Sequence, residues 1–218
     1  MKIAPKSTLI MVGDSITEAG RDASGNPTPW SPNTGLGQGY VTLVDAYLSA
    51  LHPEFMIRVI NAGVDGNTIL GVASRWGCDV LSRKPDWISL LIGINDVWRQ
   101  FDQPRVVESH VPPEIFEKTL DRLVVQARGR VRGMVLMTPF MVEPNRQDAM
   151  RSRMDEYGSI VKRVSKRRRT LCVDTQPLMD TVTKYTHPMS LAWDRIHVNC
   201  VGHLLLARAF LEAVGADD

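Results

Sequence analysis

The chain has few cysteines, no long apolar run and almost no excess of charge, and each shortage narrows the field. Three cysteines, Cys78, Cys172 and Cys200, among 218 residues are an odd and sparse set. They suit buried free thiols in a reducing compartment better than a disulfide framework. No stretch reaches the roughly 18 apolar residues of a membrane span. The apolar run that follows Met1-Lys2-Ile3-Ala4-Pro5-Lys6-Ser7 ends at Gly13, too short for the core of a signal peptide. A cytoplasmic location is therefore the expectation. With 26 basic and 24 acidic residues the formal charge is only +2, so nothing global calls for nucleic acid. The sequence also has no internal repeat, low-complexity tract or linker, and its length suits a single domain, 1–218, around one core.

What is present is an alternation. Short β-rich runs, Thr8 to Val12, Met56 to Ile60, Trp87 to Ile92, Gly133 to Met137 and Leu171 to Val173, are continuously apolar, as strands buried on both faces are. Between them lie segments of helical period. Tyr40, Val44, Tyr47, Leu48 and Leu51 form one stripe; Phe116, Leu120, Leu123 and Ala127 another; Met150, Met154, Tyr157, Val161 and Val164 a third; Val201, Leu204, Leu205 and Ala209 a fourth. This is the pattern of a parallel α/β sheet covered by helices. Two segments break it. Residues 20–39, dense in Gly, Pro, Ser and Asn, and residues 99–113, with His110 and Pro112-Pro113, read as long loops, and loops of that length are usually functional.

In a doubly wound sheet, sites form outside the carboxyl ends of the strands. There the sequence offers Gly13-Asp14-Ser15, then Asn61-Ala62-Gly63-Val64-Asp65-Gly66-Asn67-Thr68, then Gly93-Ile94-Asn95-Asp96; Trp193-Asp194-Arg195-Ile196-His197 precedes the last helix. Acyl transfer needs a nucleophilic oxygen, a base, a group that orients the base, and donors aimed at the developing oxyanion. Ser15, His197 and Asp194 supply the first three. The amides of Ser15 and Gly66 and the side chain of Asn95 supply the donors. Ser15-Ile16-Thr17-Glu18 also fits the capping box S-x-x-E, in which the serine would only satisfy helix-start amides. With five histidines and sixteen aspartates in the chain, a D-x-x-H arises by chance about 0.4 times, so Asp194 and His197 alone decide nothing. It is the ordered set of segments that carries the reading.

Those residues resemble the signature blocks of the SGNH, or GDSL, hydrolases: Gly13-Asp14-Ser15, Gly66, Gly93-Ile94-Asn95-Asp96 and Asp194-Arg195-Ile196-His197, over residues 8 to about 214. The resemblance implies a flavodoxin-like three-layer α/β/α sandwich with a five-stranded parallel sheet, and a serine esterase that needs no metal or other cofactor. A narrower likeness, in Gly-Ile-Asn-Asp-Val-Trp-Arg-Gln at 93–100, Met-Thr-Pro-Phe at 137–140 and Leu-Ala-Trp-Asp-Arg-Ile-His at 191–197, is to bacterial intracellular acetylxylan esterases. It implies an acetylated xylo-oligosaccharide as substrate and a homo-oligomer. The same scaffold also carries lipid and thioester hydrolases, and a silent carbohydrate-binding protein would share the fold. Val198 stands where the family commonly has proline after the histidine, a change that removes no catalytic group.

Other residues have two readings. Trp193 and Trp98 are candidates to line the site and stack on a sugar, and Trp30 is open; each also suits packing. Asp14 and Asp96 are expected to hold loop amides, and Arg99 is divided between substrate and a salt bridge. The basic run 162–169 reads as the solvated end of a helix rather than a nucleic-acid surface. His197-x-x-Cys200-x-x-His203 mimics a metal motif, but Cys200 and His203 fall within the last helix, with Asn199 as its cap, so no metal site is expected.

Overall fold

A computed structural model describes residues 1–22 and 35–216. Five strands form one parallel sheet: β1 (Thr8–Gly13), β2 (Arg58–Gly63), β3 (Trp87–Leu91), β4 (Gly133–Met137) and β5 (Leu171–Val173), in the order β2-β1-β3-β4-β5. This is the flavodoxin-like order, in which the chain reverses direction across the sheet between β1 and β3. Every residue of β3 and all but the first of β1 are buried, as their unbroken apolar runs anticipate. The edge strands β2 and β5 each expose a residue, Arg58 and Cys172.

Helices cover both faces. On one side α2 (Tyr40–Leu51) packs on α8 (Cys200–Val214), which also meets α7 (Gln176–Val182). On the other, α3 (Ile69–Arg75) and α4 (Ile94–Asp102) pack against α5 (Pro113–Ala127) and α6 (Ala149–Arg168). A four-residue α1 (Ser15–Glu18) follows β1 directly. Among the described residues no helix is long and apolar enough to cross a membrane.

Several expectations shift. The second strand begins at Arg58 rather than Met56, because Met56 takes a left-handed backbone at the end of a preceding 3-10 turn, and it extends through Asn61 to Gly63. Asn61 earns its buried place: its amide donates to Thr17 O at 2.7 Å and Leu36 O at 2.8 Å, and its oxygen accepts from Gly63 N. The loop expected from residue 99 starts only after α4 ends at Asp102, and His110 lies in it with its Nε2 3.0 Å from Gln103 O. Of the 20–39 loop, residues 23–34, with Trp30, lie outside the described residues. The α5 and α6 stripes are buried as expected, and so are Tyr40, Val44 and Leu48, but Leu51 is exposed. In α8 the buried face is Leu206, Phe210, Leu211 and Val214, while Val201 and Leu204 are exposed. That helix is apolar almost all round, so its period does not select a face. The three cysteines are free, but all are exposed rather than buried: Cys78 follows α3, Cys172 is on an edge strand and Cys200 opens α8.

The basic end of α6 is paired rather than merely solvated. Arg163 and Arg167 bind Glu117, and Arg167 and Arg168 bind Asp121, both acids on α5. The Arg168 hydrogen bond, with Arg167 beside it, holds the Asp121 carboxyl down at about 2. These exposed pairs fix the register of two helices more than they add stability.

Candidate active site

Gly13 at the end of β1 is in register with Gly63 of β2 on one side and Leu91 of β3 on the other. The three segments that follow therefore leave the sheet side by side. A Cβ on Gly13 would fall 2.1 Å from Thr17 Oγ1 and 2.5 Å from Leu91 O. Only glycine lets α1 start directly on the strand end, which lifts Ser15 above the sheet.

The helix is capped by Asp14, not by Ser15. Asp14 Oδ1 accepts from Ile16 N at 3.0 Å, and Glu18 accepts from Gly20 N instead of completing a capping box. The Ser15 hydroxyl is thus spared, and its Oγ lies 2.8 Å from His197 Nε2. His197 Nδ1 lies 2.5 Å from Asp194 Oδ2, while Asp194 Oδ1 accepts from the Ile196 and His197 amides at 2.9 and 2.8 Å. Assigned from this network, Nδ1 carries the proton and Nε2 is the acceptor that faces the serine. Burial pushes the Asp194 carboxyl up, but the His197 ring and the two amides together outweigh it and hold the group below the usual range. The carboxylate stays ionised, as a partner that orients an imidazole must.

Gly66 has φ +67°, a left-handed turn that suits glycine, and among the described residues its amide and that of Ser15 have no hydrogen-bond partner. Asn95 is buried, and its Nδ2 donates to Asn67 O at 3.1 Å, which uses one of two amide hydrogens and leaves the other. Arg75 braces this corner: its Nε donates to Asn67 Oδ1 at 2.8 Å and its Nη2 to Gly13 O at 3.1 Å. Asp96 receives Ile69 N on both oxygens, at 3.0 and 3.1 Å, and so joins Thr68 in capping α3. Burial pushes Asp14 up to about 7 and Asp96 up to about 8. Both acids therefore hold backbone amides, as expected.

These features can move a proton from a serine to a histidine and leave the serine's own amide unpaired, which is part of the equipment of acyl transfer. Residues 11–205 match the GDSL-like lipase/acylhydrolase family. The chain belongs to that family. It is a carboxylic ester hydrolase. It is 46% identical over 215 residues, 99% of this chain and 97% of the relative, to a protein of Geobacillus stearothermophilus named acetylxylan esterase. The crystal structure of that esterase superposes with a TM-score of 0.93, over 99% of this chain and 97% of the other. An α/β hydrolase enzyme from the metagenome of Lake Arreo, Spain, gives 0.94 at 48% identity, covering 100% of this chain and 99% of that one. Variants of the Geobacillus esterase with a serine, an aspartate or a histidine changed to alanine are described as catalytic mutants.

In this hydrolase the two candidate tryptophans are placed differently. Trp98 is half-buried, its ring centroid 6.0 Å from that of His197 and its other neighbour the Arg99 guanidinium at 5.5 Å. Arg99 also pairs with Asp102 at 2.5 Å. Trp193 is 78% exposed beside Asp194. The apparent metal motif is dispersed: Cys200 is exposed, and His203 turns away to accept Tyr40 N at 3.2 Å, its ring stacked on Tyr40. Burial, aided by His197, pushes His203 down to about 4, which keeps it the neutral acceptor that caps α2. Asn199 caps α8, accepting from Val201 N. Sequence reasoning missed the roles of His203, Arg75 and Asn61, because the contacts of His203 with Tyr40, Arg75 with Gly13 and Asn61 with Thr17 and Leu36 span distant segments and leave no local pattern.

Proposed function

We propose that the hydrolase is a serine esterase that removes O-acetyl groups from xylo-oligosaccharides through an acetyl-Ser15 intermediate. The observation that carries this reading is the hydrogen-bonded series Ser15, His197, Asp194, reinforced by the identity to a protein named acetylxylan esterase. In the first half-reaction Ser15 Oγ attacks the acetyl carbonyl carbon while its proton passes to His197 Nε2. The negative oxygen that forms is met by the Ser15 and Gly66 amides and the free hydrogen of Asn95. Collapse breaks the bond to the sugar oxygen, which leaves with the proton held by His197. In the second half-reaction water gives a proton to His197 and attacks the acetyl carbon; acetate leaves and Ser15 recovers its hydrogen.

Asp194 keeps the imidazole in the tautomer and orientation both halves need. The exposed face of Trp193 offers a platform for a sugar ring, and Trp98, packed against His197, walls the other side. A cytoplasmic location, from the sparse cysteines and the short first apolar run, and a homo-oligomeric state, from the family likeness, belong to the same reading. The test is a panel of acetylated xylose and xylo-oligosaccharides, long-chain esters and acyl thioesters, with Ser15→Ala as blank. Acetate release that is fastest from the acetylated sugars supports the proposal. Preference for long-chain esters or thioesters contradicts it.

A further inference from the structure

Among the described residues, six other than glycine have positive φ: Lys6, Ala19, Met56, Lys84, Arg169 and Arg195. Four of them, Ala19, Met56, Lys84 and Arg169, end helices, where a left-handed residue is the ordinary stop, and Lys6 lies in the approach to β1. Arg195, at φ +68°, is between two members of the catalytic series. A residue with a Cβ resists that conformation, and it persists only where the surroundings enforce it.

They do so here. Arg195 Nη1 lies 3.2 Å from Glu143 Oε2 and 3.2 Å from Asp148 Oδ2, its carbonyl accepts from Val142 N at 2.8 Å, and its own amide donates to Ala192 O at 3.1 Å. The acids are themselves fixed. Asp148 Oδ1 caps α6 by accepting Arg151 N at 2.9 Å. The Glu143 carbonyl is bound by the guanidinium of Arg151, which is buried and paired through two hydrogen bonds of 2.9 Å with Asp180. The left-handed turn shapes the residues around it: it folds the Ile196 and His197 amides onto one oxygen of Asp194 and leaves the other for the His197 ring.

We propose that Arg195 is a positioning residue, which locks the Asp194–His197 turn onto the segment between β4 and α6 and so sets the aim of His197 at Ser15. This rests on the acyl-transfer reading above. Glu143 and Asp148 are the anchors through which it acts, and they touch no reacting atom.

The experiment measures kcat and KM for 4-nitrophenyl acetate, with thermal melting, on Arg195→Ala, Arg195→Lys and Arg195→Gly, on the pair Glu143→Gln with Asp148→Asn, and on that pair combined with Arg195→Ala. Arg195→Ala should lower kcat roughly tenfold with KM nearly unchanged, the cost of a small misalignment of a catalytic base. Arg195→Lys should recover most of it. Arg195→Gly accepts the backbone without strain but has no clamp, so it should melt like the parent and still lose kcat. The paired anchor variant should match Arg195→Ala, and adding Arg195→Ala to it should cost nothing further. Parental kcat in Arg195→Ala and Arg195→Gly, a loss confined to KM, or a loss that follows melting temperature without rescue by lysine would overturn the proposal. His197→Ala is the reference: if it stays active the acyl-transfer reading itself fails, whereas an inactive His197→Ala beside a normal Arg195→Ala removes only the role of Arg195.

Discussion

The Ser15 hydroxyl and the His197 ring are hydrogen-bonded at 2.8 Å across 182 residues of sequence. Two local devices make that distance. Gly13 admits α1 at the very end of β1, and Asp14 takes over the helix cap so that the serine hydroxyl has no structural duty. On the far side, the Asp194 turn delivers the imidazole with its acceptor nitrogen outward.

Activity and stability should therefore separate at Ser15. Ser15→Ala is expected to lower turnover of an acetate ester by about 10⁴ to 10⁶, while urea denaturation shows less than about 0.5 kcal/mol of change, because no cap is lost. A cap worth about 1 kcal/mol together with retained turnover would assign the hydroxyl to the helix.

Asn95→Ala should reduce kcat by about 10² to 10³ if the second amide hydrogen meets the oxyanion. Steady-state kinetics on a small ester decides it. A change in KM alone would leave Asn95 as no more than a brace for Asn67.

The sequence carried much of this because the relevant signals are local. Continuous apolar runs fix the inner strands β1 and β3, and polar residues directly after them, Ser15 and Asn95, need only the rule about strand ends. What escaped was set by tertiary contact. The α8 stripe was misplaced because that helix is apolar around its circumference. His203 became the cap of α2, and Arg195 a left-handed hinge, through partners more than 40 residues away. No period or motif encodes such contacts.

The two buried acids predict a pH signature. Burial raises the folded-state carboxyls of Asp14 and Asp96 from 3.8 to about 7 and about 8. Each favours the folded state in its protonated form, so the stabilisation is complete below about pH 4 and is lost as pH rises toward 7 to 8. Asp14→Asn keeps an acceptor for Ile16 N, and it should gain stability relative to the parent as pH rises from about 4 to about 7, by up to a few kcal/mol. Denaturation curves at several pH values test this, and a constant difference would show that the parent acid is already ionised in the fold.

Trp193 should matter for the sugar and not for the ester bond. Trp193→Ala is expected to raise KM for acetylated xylo-oligosaccharides about tenfold, the loss of one stacking contact of about 1.4 kcal/mol, with KM for 4-nitrophenyl acetate unchanged. Equal effects on both substrates would place the indole in the scaffold of the Asp194 turn.

Covalent labelling with an organophosphonate, followed by peptide mapping, tests the central claim most directly. The account predicts one label per chain on Ser15, coincident with loss of esterase activity, absent in Ser15→Ala and slowed severely in His197→Ala. An active protein that takes no label at Ser15, or is inactivated by a label elsewhere, would contradict it.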